Sequence, residues 1–298
     1  MKKFFISIVL GFAAFLVVGC GTDGDVLQKD KINGPPERPK TEMNILVIGE
    51  STAANFGLGL TYEAHHNVLE MNIDHRFMKA KTPNESQYAS LATGQDSSWL
   101  SYYGDLVFDR TEDYETIRFV NLSVYEYTMN MWTPTYTTPG CLIAQNESEG
   151  TMDPAPNCFV AGPYGETMQN NRFAYIANVK KWMTNLGYKF THVIVDVGRA
   201  DAKAETSKEN YIRSFNSFKQ GLRDLGIDAK IILTRVSYAD GKSNPEIIAA
   251  QDEIINRNDD VYPGPNLDMI GEEYRYDGVN FNKDGLIKAA TLYNEFVR

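Results

Sequence analysis

The sequence is poor in cysteine, histidine and clustered basic charge, and each shortage removes a class of protein. Three cysteines in 298 residues are too few for a disulfide scaffold, which needs a much denser set. Lys and Arg number 29 against 39 Asp and Glu, for a net charge of −10, and no long basic run occurs. Phosphate binding needs clustered Lys and Arg, so the chain is a poor nucleic-acid binder. It has no CxxC pair, no HExxH run and no phosphate-cradling glycine loop, so neither a metal nor a cofactor is expected. Only four histidines, His65, His66, His75 and His192, are available to move a proton. What is present is a globular composition, 43% hydrophobic and 23% charged, neither disordered nor fibrous. The length suits one large domain or two small ones.

Lys2 and Lys3 precede an apolar stretch from Phe4 to Val18, which runs into Gly19-Cys20. A charged start, a short apolar run and small residues before the cut form the pattern of a secretory signal. The run is shorter than the ~20 residues of a membrane span. A cysteine at this place resembles the bacterial lipobox. That resemblance implies removal of residues 1–19, lipidation of Cys20 and attachment to a membrane. Gly21 in place of Asp implies the outer membrane of the cell envelope. The plainer alternative is a secretory signal that ends near a cysteine by chance. Residues 20–43 are rich in Gly, Pro and charge and read as a flexible tether. The folded domain is expected over 44–298. Cys141 and Cys158 lie in a stretch rich in Pro, Gly, Thr and Asn (133–165). Beyond the inner membrane the compartment is oxidising, so a disulfide between them is expected, with two separate thiols as the alternative.

From residue 44 onward, strand-like and helix-like stretches alternate. Asn44–Ile48, Arg118–Val124, His192–Val197 and Lys230–Val236 are short apolar runs, suited to strands buried on both faces. Helical spacing runs through Phe173, Ile176, Ala177, Lys180, Met183 and Leu186, and again through Tyr211, Phe215, Phe218, Leu222 and Leu225. Gly187 and Gly226 stop these two runs. A last helix is expected over Lys283–Phe296. Such alternation predicts an α/β fold with a mainly parallel sheet between helices, whose active site lies at the carboxyl ends of the strands. Segments 60–115 and 125–165 read as insertions or long loops.

At those strand ends stand Gly49-Glu50-Ser51-Thr52, Asn121-Leu122-Ser123-Val124 and Gly198-Arg199-Ala200-Asp201. Before the last helix comes Asp277-Gly278-Val279-Asn280. A serine at a strand-to-helix turn is exposed and near a helix dipole, as a nucleophile would be. It is equally suited to be a helix N-cap. The acidic loop could be only a helix start. His66, Glu70 and Asp74 are spaced four apart and on a helix would share one face. That is a metal site or, more commonly, a solvated polar face. Trp99, Tyr102, Tyr103, Trp132 and Tyr136 fall in the loop-like segments, as sugar-stacking platforms or as core.

Taken in order, these motifs resemble the SGNH (GDSL-like) hydrolases, and among them the sialate O-acetylesterase-like carbohydrate esterases. The resemblance spans most of 44–298. It is sharpest where Asn244-Pro245, Ala249-Ala250-Gln251 and Gly264-Pro265-Asn266-Leu267-Asp268 precede Asp277-Gly278-Val279. It implies a three-layer α/β/α sandwich of flavodoxin-like type and an acylated glycan as substrate. Ser51 takes the nucleophile's place, Asp277 that of the triad acid, and Ser123 and Ala200 those of the oxyanion hole. Three departures stand out. Asn280 occupies the position of the family's histidine, Ala200 that of its asparagine, and Ser123 that of its glycine. An amide does not titrate near pH 7 and cannot act as general base. The backbone N–H of Ser123 could still serve. His65 or His66 could return to Ser51, and Arg199 could supply a positive charge in place of the missing oxyanion donor. Two functions follow: an envelope-anchored esterase that deacetylates a glycan, or an inactive relative that binds a glycan or a protein.

Overall fold

The computed structural model describes residues 41–83, 91–94, 96–111, 113–136 and 172–296. The signal segment, Cys20, nearly all of the tether, Cys141 and Cys158 lie outside the described residues. Strand β1 runs over Thr41–Gly49, three residues longer at its start than the apolar run read from the sequence. Met43 to Gly49 are buried without interruption, as a central strand covered on both faces must be.

The segment expected to be loops, 60–115, contains four short strands and a helix. They are β2 (Tyr62–Glu63), β3 (Val68–Met71), β4 (Phe77–Lys79), β5 (Lys81–Thr82) and α1 (Leu100–Arg110). Strands of two to four residues are too short to show a period. Helix α1 hides its own, because Ser101, Gly104 and Asp105 share its buried face. Then follow β6 (Tyr114–Asn121), α2 (Arg172–Asn185), β7 (His192–Asp196), α3 (Arg199–Lys203), α4 (Lys208–Asp224), β8 (Lys230–Arg235), α5 (Pro245–Ile254), β9 (Val261–Asn266) and α6 (Lys283–Phe296). The three helices expected from spacing are α2, α4 and α6. Ser207 caps α4 by accepting the Asn210 N–H, and Asn244 caps α5, with Pro245 in its first turn.

The main sheet has the order β4-β3-β6-β1-β7-β8-β9. Only β4 runs antiparallel to its neighbour; the rest pair in parallel. Alternate residues of the central strands face opposite layers. Leu46, Val120, Val193 and Ile231 pack with Phe173 and Ile176 of α2, Phe215 of α4 and Ile247 of α5. Ile45, Phe119, Ile194 and Ile232 pack with Tyr103 of α1 and Leu286 and Tyr293 of α6. The result is the expected three-layer α/β/α sandwich.

The helical face proposed for His66, Glu70 and Asp74 does not exist. Glu70 is in β3, His66 precedes that strand and Asp74 is in the turn after it. Three of the candidate sugar platforms, Trp99, Tyr103 and Trp132, are fully buried core. Tyr102 and Tyr136 are half-buried, and Tyr102 packs edge-on against Tyr62.

Candidate active site

Strand β1 is followed by turns instead of the helix that could have started at Ala53. The N–H groups of Ala53 and Ala54 both donate to the Glu50 carbonyl, at 3.1 and 2.8 Å. Ser51 sits in this tight turn and is 1% exposed. The turn is held from below. The Thr52 hydroxyl donates to Asp196 Oδ1 at 3.0 Å, and Trp99 Nε1–H donates to the Thr52 carbonyl at 3.0 Å. The Tyr293 hydroxyl donates to the other Asp196 oxygen at 3.0 Å. Burial pushes the Asp196 carboxyl up to about 7, against the lowering effect of these hydroxyl bonds.

Ser123 follows β6 and stands beside the Ser51 turn. Val124 N–H donates to the Gly49 carbonyl at 2.9 Å. A Cβ at Gly49 would lie 2.9 Å from Ser123 Oγ and 2.6 Å from Ala53 Cβ, so only glycine fits there. The backbone N–H of Ser123 is not free to hold an oxyanion, as the sequence had suggested. It donates to Asn121 Oδ1 at 3.1 Å, while Asn121 Nδ2 donates to the Ala53 carbonyl at 2.9 Å.

Ala200 is also engaged. The Glu50 side chain, buried next to the nucleophile position, reaches the first turn of α3. Glu50 Oε1 accepts from Gly198 N–H at 2.7 Å, and Oε2 accepts from Ala200 N–H at 2.9 Å. Arg199 Nη2 lies 3.6 Å from Glu50 Oε2, both side chains being almost fully buried. Burial raises the Glu50 pKa, while Arg199 and the backbone N–H groups pull it down. The sequence reading missed Glu50, whose carboxyl takes up the N–H groups of Gly198 and Ala200. Its place next to Ser51 was the available signal. Arg199 is therefore paired with a carboxylate, with its guanidinium 5.7 Å from the Tyr125 ring.

The loop before α6 completes the site. Leu58 N–H donates to the Phe281 carbonyl at 2.9 Å, and the Tyr276 hydroxyl donates to the Phe56 carbonyl at 3.0 Å. The loop is thus tied to the chain that leaves Ser51. Within it, Asp277 Oδ1 accepts from the N–H groups of Val279 at 2.9 Å and Asn280 at 2.6 Å. Asn280 Nδ2 donates to Asp277 Oδ2 at 2.7 Å. Partial burial acts to raise the Asp277 pKa, but these bonds outweigh it and hold the carboxyl below its usual range. Asn280 thus aims a side-chain N–H at the Asp277 carboxylate. It lacks the second nitrogen that would take a proton.

No histidine replaces it. His65 and His66 precede β3, at the amino edge of the sheet, where their backbone N–H groups bind Asp105. His192 is the first residue of β7, at the same edge. His75 lies in the turn after β3, two strands away from β1, and stacks on Trp182. Several buried polar atoms of the site have no protein hydrogen bond: Ser51 Oγ, Ser123 Oγ, both Asn55 amide atoms, Asn280 Oδ1, and Arg199 Nε and Nη2. Among the described residues no cluster of His, Cys, Asp and Glu could hold a metal ion.

No protein-family model matches the chain, and no curated protein matches it. Solved structures do. A protein from Arabidopsis thaliana is 13% identical, with a TM-score of 0.57, over 85% of this chain and 96% of its own. A candidate GDSL-like lipase from Parabacteroides merdae is 10% identical, with a TM-score of 0.47, over 88% and 98%. A family two carbohydrate esterase from Clostridium thermocellum, in complex with cellohexaose, is 14% identical, with a TM-score of 0.46, over 87% and 64%. At such identities the likeness is one of fold: a three-layer α/β/α sandwich around a mostly parallel sheet.

Proposed function

We propose that this chain is an SGNH-type, carbohydrate-esterase-like protein whose cleft binds an acylated glycan and has lost efficient hydrolysis. In this reading Cys20 anchors it in the outer membrane, and the domain faces a polysaccharide of the cell envelope. The observation that carries the reading is the 2.7 Å bond from Asn280 Nδ2 to Asp277 Oδ2. It keeps the geometry of the acid and base pair while removing the group that titrates. Losing the base of a serine triad costs on the order of 10⁶ in turnover. The oxyanion side is weakened as well, because Ser123 N–H and Ala200 N–H already have internal acceptors. One lost donor of this kind costs about 10² to 10³.

A second reading, a slow esterase, draws on one observation. Ser51 Oγ is buried with no protein partner, as an uncommitted nucleophile would be. Hydrolysis of a small activated acetyl ester separates the two. In the binding reading, the native protein turns over no faster than Ser51→Ala. Asn280→His then gains Ser51-dependent activity, at least about 10² above native and at most the ~10⁶ that a restored base returns. Native turnover that disappears in Ser51→Ala would overturn the binding reading in favour of the slow esterase.

A further inference from the structure

Two exposed aromatic side chains flank the candidate site. Tyr125 is 44% exposed and Tyr276 is 43% exposed. They come from different parts of the chain, one just after β6 and one from the loop that carries Asp277. Both are fastened to the same residue. The Tyr125 ring lies 5.2 Å from that of Phe56, tilted by 37°, and the Tyr276 hydroxyl donates to the Phe56 carbonyl. Phe56 is itself half-buried and leaves the Ser51 turn. Leu58, 48% exposed, extends the apolar lip. The Tyr125 loop is braced on its other side by Glu126, whose carboxylate meets Lys203 at 2.8 Å.

We infer that Tyr125 and Tyr276 form the stacking platform that gives this cleft its occupant, a neutral pyranose chain. The inference rests on the binding reading above and names its substrate class. A tyrosine offers an apolar face and a polar tip, with few torsions to freeze on binding. A pyranose ring has the matching form, a C–H face with hydroxyl groups at its edge. Charge decides between neutral and acidic glycans. Asp277 and Asp96 are exposed at this lip, and Lys203 is already paired with Glu126. With the whole chain at −10, a polyanionic polysaccharide would be repelled. Neither tyrosine belongs to the aromatic set singled out from the sequence.

The test is calorimetric titration of the full chain with xylohexaose, cellohexaose and their partially acetylated forms. The native protein is expected to bind at least one. Tyr125→Phe keeps the ring and is expected to bind within about twofold. Tyr125→Leu and Tyr276→Leu keep apolar bulk without a ring and are expected to bind about tenfold more weakly. Thermal melts of each variant separate loss of the ring from loss of the fold. Leucine variants that bind as the native protein does would overturn the platform. A native protein that binds none of the probes would overturn the neutral glycan as occupant. Failure of the parent reading shows elsewhere, in an Asn280→His variant that stays inert on a small ester. Ring-dependent sugar binding in that case leaves the platform standing on a cleft that is not an esterase's.

Discussion

The two edges of the central sheet differ in how several of their buried polar groups are used. At the amino edge Asp105 and Asn44 are bonded to several chain segments. Asp105 accepts from the Tyr62 hydroxyl at 2.6 Å and from the N–H groups of His65 and His66 at 2.6 and 2.9 Å. Asn44 accepts from Arg118 and donates to the Lys189 carbonyl. At the carboxyl edge Ser51 Oγ, Ser123 Oγ and Asn55 are buried with no protein partner. An unmet buried polar group costs about 1–3 kcal/mol. One edge therefore spends its polar residues on joining chain segments. The other holds these three buried and without a protein hydrogen bond, close under the surface on which Tyr125 and Tyr276 are exposed. His65, His66 and His192 stand at the first edge, and His75 stacks on Trp182 two strands from β1, so none of them gives the second edge a base.

Glu50, with Asp196 and Asn121, binds the carboxyl edge together, and removing Glu50 should have the largest effect. Glu50→Ala leaves Arg199 buried without its counter-charge and strips the acceptor from Gly198 and Ala200 N–H. Removing one partner of a buried pair costs about 3–5 kcal/mol. Urea unfolding should show a lower midpoint with an unchanged slope. A loss of under about 1 kcal/mol would mean that the pair behaves as a surface ion pair does. At the amino edge, Asp105→Ala orphans the N–H groups of His65 and His66 and the Tyr62 hydroxyl. The expected loss there is about 1–3 kcal/mol, with oligosaccharide affinity unchanged. A matching fall in affinity would break the division between the edges.

The next effect is one of pH. Asp196 and Asp201 are both pushed up to about 7 by burial, whereas an unfolded aspartate titrates near 3.9. The folded state therefore holds these protons more tightly. The stability they contribute is complete below about pH 4 and is lost as pH rises through about 7. Asp196→Asn imitates the protonated form, so its stability should fall less steeply than that of the native protein over this window. Parallel profiles, measured by denaturation at each pH, would show that Asp196 is ionised throughout. Asp277 has the opposite sign. Its carboxyl is held below the usual range, so its contribution is lost as pH falls into the acid range.

The sequence made one half of the sheet legible and concealed the other. Strands β1, β6, β7 and β8 each contain a short apolar run, ILVI, FV, VIV and IIL, and α2, α4 and α6 carry clear helical spacing. Strands β3 and β4 are short and belong to a hairpin at the sheet's end, where pairing with β6 supplies what periodicity does not. Strand β9 contains Pro263 and Gly264, which are poor strand formers; a Cβ at Gly264 would come within 2.9 Å of the Leu233 carbonyl. In the site, residue types were legible and hydrogen bonds were not. Asn280 could be read as a lost base. Asn121 captures the Ser123 N–H by turning onto the backbone two residues ahead, whereas Glu50 captures that of Ala200 by reaching across to α3. The first is an Asx turn, open to any asparagine at that spacing; no spacing rule encodes the second.

The smallest effect tests the rim of the same cleft. Lys203 and Glu126 meet at 2.8 Å, with side chains 39% and 41% exposed, and they join α3 to the loop that carries Tyr125. Exposed pairs contribute about 0.2–1 kcal/mol and are screened by salt. Lys203→Met should lower stability by no more than that, and the difference from the native protein should shrink at 1 M salt, where the screening length falls to about 3 Å. If the pair instead holds Tyr125 in place, the variant will also weaken oligosaccharide binding, and salt will do the same to the native protein. A change in affinity without a change in stability would extend the carboxyl edge's functional role to its outer rim. A change in stability alone would place this ion pair with the structural contacts of the opposite edge.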